Sequence, residues 1–451
     1  MAGIALQISS GHFDIWALVG ILLALALGVA GCAGLAIRDE GGRWTRRVLS
    51  GGILLCLALM ALQSPGKYLE TPSPWANPPL LAGLVVAAVA LAVSTRADPW
   101  ARRAWFPVAL AAYAGLGIWL IHASPDPHID VITVHREAIE ALQEGRSPYG
   151  ITFPNIYPDG RFYPEGMTAG GRVLFGLPYP PVSLLLAAPG HILGGDIRYA
   201  ELAAFLATAV LLAVAGGGEV AKLAAMAFLF TPRSLFVLEQ GWTEPFAVLC
   251  LALVVASARR FPRVLPVALG LLLGVKQYLV IAALLVPWLV PGGDRRRGSL
   301  GLLARAGATA AVVTLPFVLW DPGGFWRSVV ALQFREQVRV DSLSVLTGLS
   351  PAYIDLAPGA IAGVAVAALA AGYTMALARI PRTPAGFAAA LGLMCLLLFV
   401  FGKKAFCNYY YFVIGAWCCA IAASPDEHER PSPDVAAPPR GPGGLRFGRR
   451  H

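Results

Sequence analysis

A chain of 451 residues in which 57% are hydrophobic and only 14% charged carries more apolar surface than a water-soluble core can hide. Its mean hydropathy of +0.65 points to repeated bilayer spans, and the Ala-, Leu- and Val-rich runs lack the alternating polar face of a membrane barrel. The net charge of +9 falls mostly in short loops where it sets topology, so membrane lipids, and not nucleic acid, are the expected surroundings.

Backbone groups in lipid must bond within their own segment, so the spans are expected to be helices. The first runs from about Phe13 to Ile37 and lacks the basic lead of a cleavable signal peptide. Arg38, Arg43, Arg46 and Arg47 follow and mark a cytoplasmic loop, which puts the N-terminus outside. Further spans are expected near Val48–Gln63, Leu80–Thr95 and Ala104–Ile121. A long polar loop then covers residues 122–180. At its start, Val131, Val134, Ala138 and Leu142 recur at helical spacing between Arg136, Glu137, Glu140 and Glu144, which predicts an amphipathic helix over Asp130–Gly145 lying along the membrane surface. The remainder, through Tyr163, Gly170 and Gly171, is turn-rich.

Pro181–Leu193 is apolar but short, and reads as interfacial or re-entrant. Spans follow near Arg198–Ala215, Lys222–Leu238 and Thr243–Ser257. The run Val264–Val290 is too long for one span, and Gly270, Gly274 and Lys276 divide it into two short helices meeting at the outer face. Spans near Leu302–Trp320, Ala357–Ala378, Ala385–Phe401 and Tyr409–Ala423 complete about thirteen crossings. Residues 1–423 thus form one all-α, polytopic transmembrane unit, with 424–451 a disordered cytoplasmic tail rich in Pro, Gly and Arg. The seven cysteines mostly lie in apolar runs and read as small buried hydrophobes. Abundant Ala, Gly and Arg fit a bacterial plasma membrane.

Polar residues gather on the outer face. Asp126 and Asp130 follow the fourth span; Glu239, Gln240, Trp242 and Glu244 make one turn; Lys276, Gln277 and Tyr278 sit at the apex of the split helices. Arg335, Glu336, Arg339 and Asp341 occupy a later loop, and Lys403, Lys404, Asn408 and Tyr409 open the last span. Each alone reads first as a solvated loop charge. Together they place a carboxylate, able to take a proton from a hydroxyl, opposite cations able to hold a departing phosphate. No Walker loop, dinucleotide fingerprint or zinc motif accompanies them.

The order of these features resembles a family. A span and an acidic residue lead to a surface helix closing in Leu142, Gly145, Pro148 and Tyr149. Then come Tyr179-Pro180-Pro181, Gln240-Gly241, Gly270 to Lys276, Asp341-Ser342-Leu343, and Lys403 with Asn408-Tyr409-Tyr410. Over residues 104–423 the chain looks like the GT-C integral membrane glycosyltransferases, most closely glycosyltransferase family 87. That resemblance implies a GT-C-like fold and an inverting transfer of mannose or another sugar from a polyprenyl-phosphate donor to a glycan, glycolipid or protein hydroxyl. It implies Asp130 as general base, with Asp126 as runner-up. Lys276, with Arg335, Arg339, Lys403 and Lys404, would bind the donor phosphate, and Tyr149, Tyr179, Gln240, Trp242, Glu244, Gln277, Tyr278, Asn408 and Tyr409 would contact sugar or acceptor. Tyr149 and Trp242 read first as interfacial anchors, and Tyr179 as part of a structural helix-opening motif. No metal site is assigned, because Asp126 and Asp130 are not the adjacent acidic pair many GT-C enzymes carry; His128 and His135 beside Asp130 read first as stray helix-start histidines. The alternatives are a transporter or flippase of a lipid-linked or anionic substrate, and a structural subunit whose outer loop binds partners.

Overall fold

Long runs of Ala, Leu and Val offer the backbone no local side-chain competitor, and nearly every such run closes into helix. The computed structural model describes residues 1–32, 42–96, 98–157, 163, 166–336, 338–349 and 358–424. Arg38, the end of the first expected span and the tail from residue 425 onward lie outside the described residues.

The chain opens with α1 (Ala2–Ser9), a short helix the hydropathy pattern did not announce, which lies against α2 (Ile15–Cys32). α3 (Arg43–Leu62), α4 (Pro78–Ser94) and α5 (Pro99–Ala123) follow, with α4 packed on α5. Prolines in the first turns of α4 and α5 fix where those helices begin, and the Asp98 carboxylate accepts the Ala101 N–H at 2.8 Å as an N-cap.

The expected surface helix is α6 (Asp130–Gln143), which buries Val131, Val134 and Ala138 and exposes Arg136 and Glu140. The turn-rich stretch after it holds a small antiparallel sheet of β1 (Phe153–Pro154), β2 (Thr168–Ala169) and β3 (Arg172–Val173), in the order β1-β3-β2. Val173 faces both Phe153 and Thr168 across the sheet. Gly170 and Gly171 join β2 to β3 with φ of 55° and 72°, the left-handed pair a tight two-residue hairpin needs. This sheet is an addition to an otherwise helical expectation.

α7 (Pro181–Gly194), α8 (Arg198–Gly216), α9 (Glu219–Leu229), α10 (Ser234–Glu239) and α11 (Glu244–Arg260) come next. Here one expectation is corrected: Lys222–Leu238 is not a continuous helix. Pro232 lacks an N–H, Arg233 adopts a left-handed φ of 71°, and the chain breaks between α9 and α10. The divided span behaves as expected. α12 (Leu265–Val275) ends at Lys276, whose backbone is extended (φ −147°, ψ 143°), and a 3-10 helix over Gln277–Trp288 continues the chain.

α13 (Arg295–Trp320) has 26 residues, about 39 Å, so it outreaches a hydrocarbon core of roughly 30 Å and carries Arg295, Arg296 and Arg297 beyond it. The helix begins well before Leu302, where the apolar run starts. The following loop is built from α14 (Pro322–Phe325), a π-helical turn over Trp326–Ala331, α15 (Leu332–Arg335) and α16 (Val345–Leu349). α17 (Pro358–Arg379), α18 (Pro384–Val400) and α19 (Cys407–Ala422) close the fold.

Among the described residues, six helices are long and apolar enough to cross a membrane: α2, α3, α5, α8, α13 and α17. The peripheral ones keep their apolar side chains outward; Val312 and Leu319 of α13 are 74% and 75% exposed. Helices apolar on all sides and unburied by protein suit solvation by lipid, and several of them together are compatible with a multi-pass membrane protein. The core lies where α11 packs against α8, α12, α18 and α19. Cys250, Cys395, Cys407, Cys418 and Cys419 are buried in it as thiols.

Candidate active site

Loops, not spans, assemble the site, and backbone bonds hold those loops in register. The segment 339–343 is stitched on both sides: the Phe13 N–H donates to the Asp341 carbonyl (2.9 Å), the Arg339 N–H to the Lys403 carbonyl (3.0 Å) and the Leu343 N–H to the Ala405 carbonyl (2.8 Å). The Tyr410 hydroxyl also donates to the Leu343 carbonyl. Arg339, Asp341, Lys403 and Lys404 therefore share one corner of the molecule although sequence separates them.

Asp130 faces that corner from the first turn of α6. It is half-buried, and the Tyr163 hydroxyl donates to its Oδ2 at 3.2 Å. Its own N–H donates to the Tyr157 hydroxyl oxygen at 3.3 Å. Burial pushes the carboxyl above its ordinary range; the charge of Lys404, the Tyr163 hydroxyl, the Val131 N–H and the charge of Arg339 pull it back only in part. A carboxylate raised in this way is a better proton acceptor near neutral pH than an ordinary one.

The cations are each held. Lys404 pairs with Glu336 at 3.0 Å; burial alone would lower its ammonium, but Glu336 and Tyr409 outweigh that and keep it protonated. Arg339 makes two parallel bonds to Asp341, of 2.9 and 2.8 Å, and lies over the Phe406 ring at 4.9 Å. Lys403 donates to the carbonyls of Gln333 (2.6 Å) and Glu336 (2.7 Å), which orient its charge without cancelling it. Lys276 is more deeply placed, 3.0 Å from a Glu244 oxygen, with its ammonium 4.5 Å from the centre of the Tyr179 ring. Arg335, at the end of α15, is exposed and stands apart from these pairs.

The aromatic and amide candidates divide by burial. Tyr149 is 1% exposed, packs against Phe317 and Phe325, and donates to the Tyr179 carbonyl at 3.1 Å, so it braces the loop and presents no open ring face. Gln277 ties the Pro178 and Val329 carbonyls together (2.7 and 3.2 Å). Gln240 is buried and donates to Glu239, and Trp242 packs edge-on against Phe236. Tyr179, Tyr278 and Tyr409 are half-buried. Tyr179 stacks on His135 at 5.0 Å and feels the charges of Asp130 and Glu244, so it bridges the Asp130 corner to the Lys276 pair. Tyr278 and Tyr409 lie 6.0 Å apart beside buried Asn408.

Asp126 is exposed, four residues before Asp130, and makes no bond to the described residues. His135 is fully buried, bonded to the Val131 carbonyl and Ser183, and burial pushes it down to about 4, so it is neutral. His128 is bonded to the Ile156 carbonyl. Among the described residues no three His, Cys, Asp or Glu gather as a metal-ligand set. Sequence reasoning missed Tyr157 and Tyr163 on Asp130, and Tyr68, whose hydroxyl donates to the His128 carbonyl at 2.6 Å. The signal for Tyr157 and Tyr163 was a cluster of tyrosines in a loop otherwise made of turn residues; Tyr68 stands alone in the α3–α4 connection.

Comparisons with protein families, with curated proteins and with solved structures return no match to this chain.

Proposed function

We propose that this chain is an inverting glycosyltransferase of the GT-C type, most like family 87, using a polyprenyl-phosphate sugar on the outer face of the plasma membrane. The observation that carries the reading is Asp130: a carboxyl above its ordinary range, held by Tyr163, with the charges of Lys404 and Arg339 reaching it from distant loops. The order of sequence motifs supports it independently. In the reading, the six long spans join the shorter apolar helices in about thirteen crossings, with the N-terminus outside and the C-terminus in the cytoplasm.

Asp130 takes the proton of an acceptor hydroxyl as its oxygen bonds to the anomeric carbon. The bond from that carbon to the phosphate oxygen breaks, and the phosphate leaves with the electron pair. Lys404, Lys403 and Arg339 neutralise the departing charge, the arginine as a two-pronged donor and the lysines as point charges. Their present partners, carboxylates for Lys404 and Arg339 and backbone carbonyls for Lys403, hold them in place, and the phosphate shares them. Lys276, paired with Glu244 beneath the Tyr179 ring, sets the floor of the site. The acceptor is a glycan, glycolipid or protein hydroxyl.

A transporter of a lipid-linked or anionic substrate is the second reading, favoured by the helix that breaks at Lys276 beside buried Glu244. Purified protein in nanodiscs, given labelled polyprenyl-phosphate mannose and a mixed acceptor pool, separates the two. Transfer with inverted anomeric configuration is expected. A retained configuration rejects the mechanism, and translocation of the donor without transfer favours the transporter.

A further inference from the structure

Two non-glycine residues among those described have a left-handed backbone, Ser10 (φ 55°) and Arg233 (φ 71°). Side chains resist this region, and residues held there gather at sites of function. Both line the same cavity of about 350 Å³, together with Lys67, Ser64 and His12. A cavity of that size accepts a polar headgroup.

Arg233 is 6% exposed. Its Nη1 donates to the Ser64 carbonyl at 2.8 Å and its guanidinium lies 5.6 Å from the Phe236 ring, but its Nε–H is buried with no partner among the described residues. A buried charged donor left unpaired is costly, and an oxyanion in the cavity removes that cost. Lys67 is exposed at the rim, its ammonium 5.5 Å from the Tyr68 ring and, among the described residues, paired with no carboxylate. Glu239 is the carboxylate whose charge reaches Arg233, and it is already engaged by the Lys67 N–H (2.6 Å), the Tyr68 N–H (2.8 Å) and the Gln240 side chain (3.0 Å). Two cations against one satisfied carboxylate leave the cavity positive. His12 faces away to Asp341, 3.7 Å distant.

We infer that the cavity between α1, the α3–α4 connection and the α9–α10 break binds a phosphate group, with Arg233 Nε and the Lys67 ammonium as its donors. The phosphate comes from a lipid headgroup or from free phosphate, and the two sources are separable. The inference concerns binding alone and stands whether or not the chain transfers sugar.

The test is calorimetry on the full chain in detergent, with inorganic phosphate and farnesyl phosphate as probes. Saturable binding of at least one probe is expected, weakened about tenfold or more in Lys67→Gln, an exposed change that leaves the fold intact. Arg233→Gly relaxes the strained backbone, so it is expected to lose binding while keeping its thermal midpoint. Binding of both probes, with inorganic phosphate displacing farnesyl phosphate, assigns recognition to the phosphate itself; binding of farnesyl phosphate alone assigns it to a lipid headgroup. No binding of either probe, or binding that Lys67→Gln leaves unchanged, overturns the inference.

Discussion

Lys276 and Glu244 offer a quantitative test of the packing beneath the site. Their charged atoms lie 3.0 Å apart, with side chains 6% and 0% exposed. At an effective dielectric of 20 that separation corresponds to about 5.5 kcal/mol of attraction. Removing one partner strands the other charge in a place built for a pair, which typically costs about 3–5 kcal/mol. Glu244→Gln and Lys276→Met are each expected to destabilise the protein by that amount. The double variant removes both charges and their desolvation cost together, and is expected to return close to wild type. Equilibrium unfolding in mixed micelles reads all four corners of the cycle. Single-variant losses below about 1 kcal/mol would place the pair in water and refute the geometry. Strict additivity would show that the two charges do not interact.

Asp130 carries a pH prediction. Because the folded protein holds its carboxyl above the ordinary range, it binds that proton more readily than the unfolded chain does. Stability therefore falls as pH rises from the ordinary carboxylate range through the raised value. Asp130→Asn is expected to unfold at or above the wild-type temperature at pH 7, and a clear drop in thermal midpoint would contradict this. At Gly11, where φ is 81° and an added Cβ would fall on the Cys407 backbone, Gly11→Ala is expected to abolish accumulation of folded protein, as size-exclusion would show. Exposed Arg335 is expected to matter little: Arg335→Ala should change donor KM by about fivefold or less, against about tenfold or more for Lys404→Ala.

The spans, the surface helix and the division at Lys276 were legible in the sequence because each rests on local signals: apolar runs, a helical repeat from Val131 to Leu142, and glycines before a charge. The break at Arg233 was equally local. Pro232 announced it, but the apolar run on either side suggested continuity. α1 was too short for its apolar pattern to stand out, and it is fixed by packing against α2 and α19. Gly170-Gly171 signalled a hairpin, but strands of two residues carry no alternation to read. Within the site, the residue types were legible and the partnerships were not. Lys276 with Glu244 and Lys404 with Glu336 join residues far apart in sequence, and nothing local says which carboxylate a cation will meet. Tyr149 shows the same limit from the other side: its type suggested a sugar platform, and its burial makes it a brace.

The central claim is that Asp130 is the proton acceptor in a sugar transfer, and one measurement addresses it directly: transfer from a labelled polyprenyl-phosphate sugar by purified wild type, Asp130→Asn and Asp126→Asn, with folding of each verified. The account predicts turnover in wild type, a loss of about a hundredfold or more in Asp130→Asn, and near wild-type turnover in Asp126→Asn. Full activity in Asp130→Asn, or no transfer from any such donor by folded wild type, would contradict it.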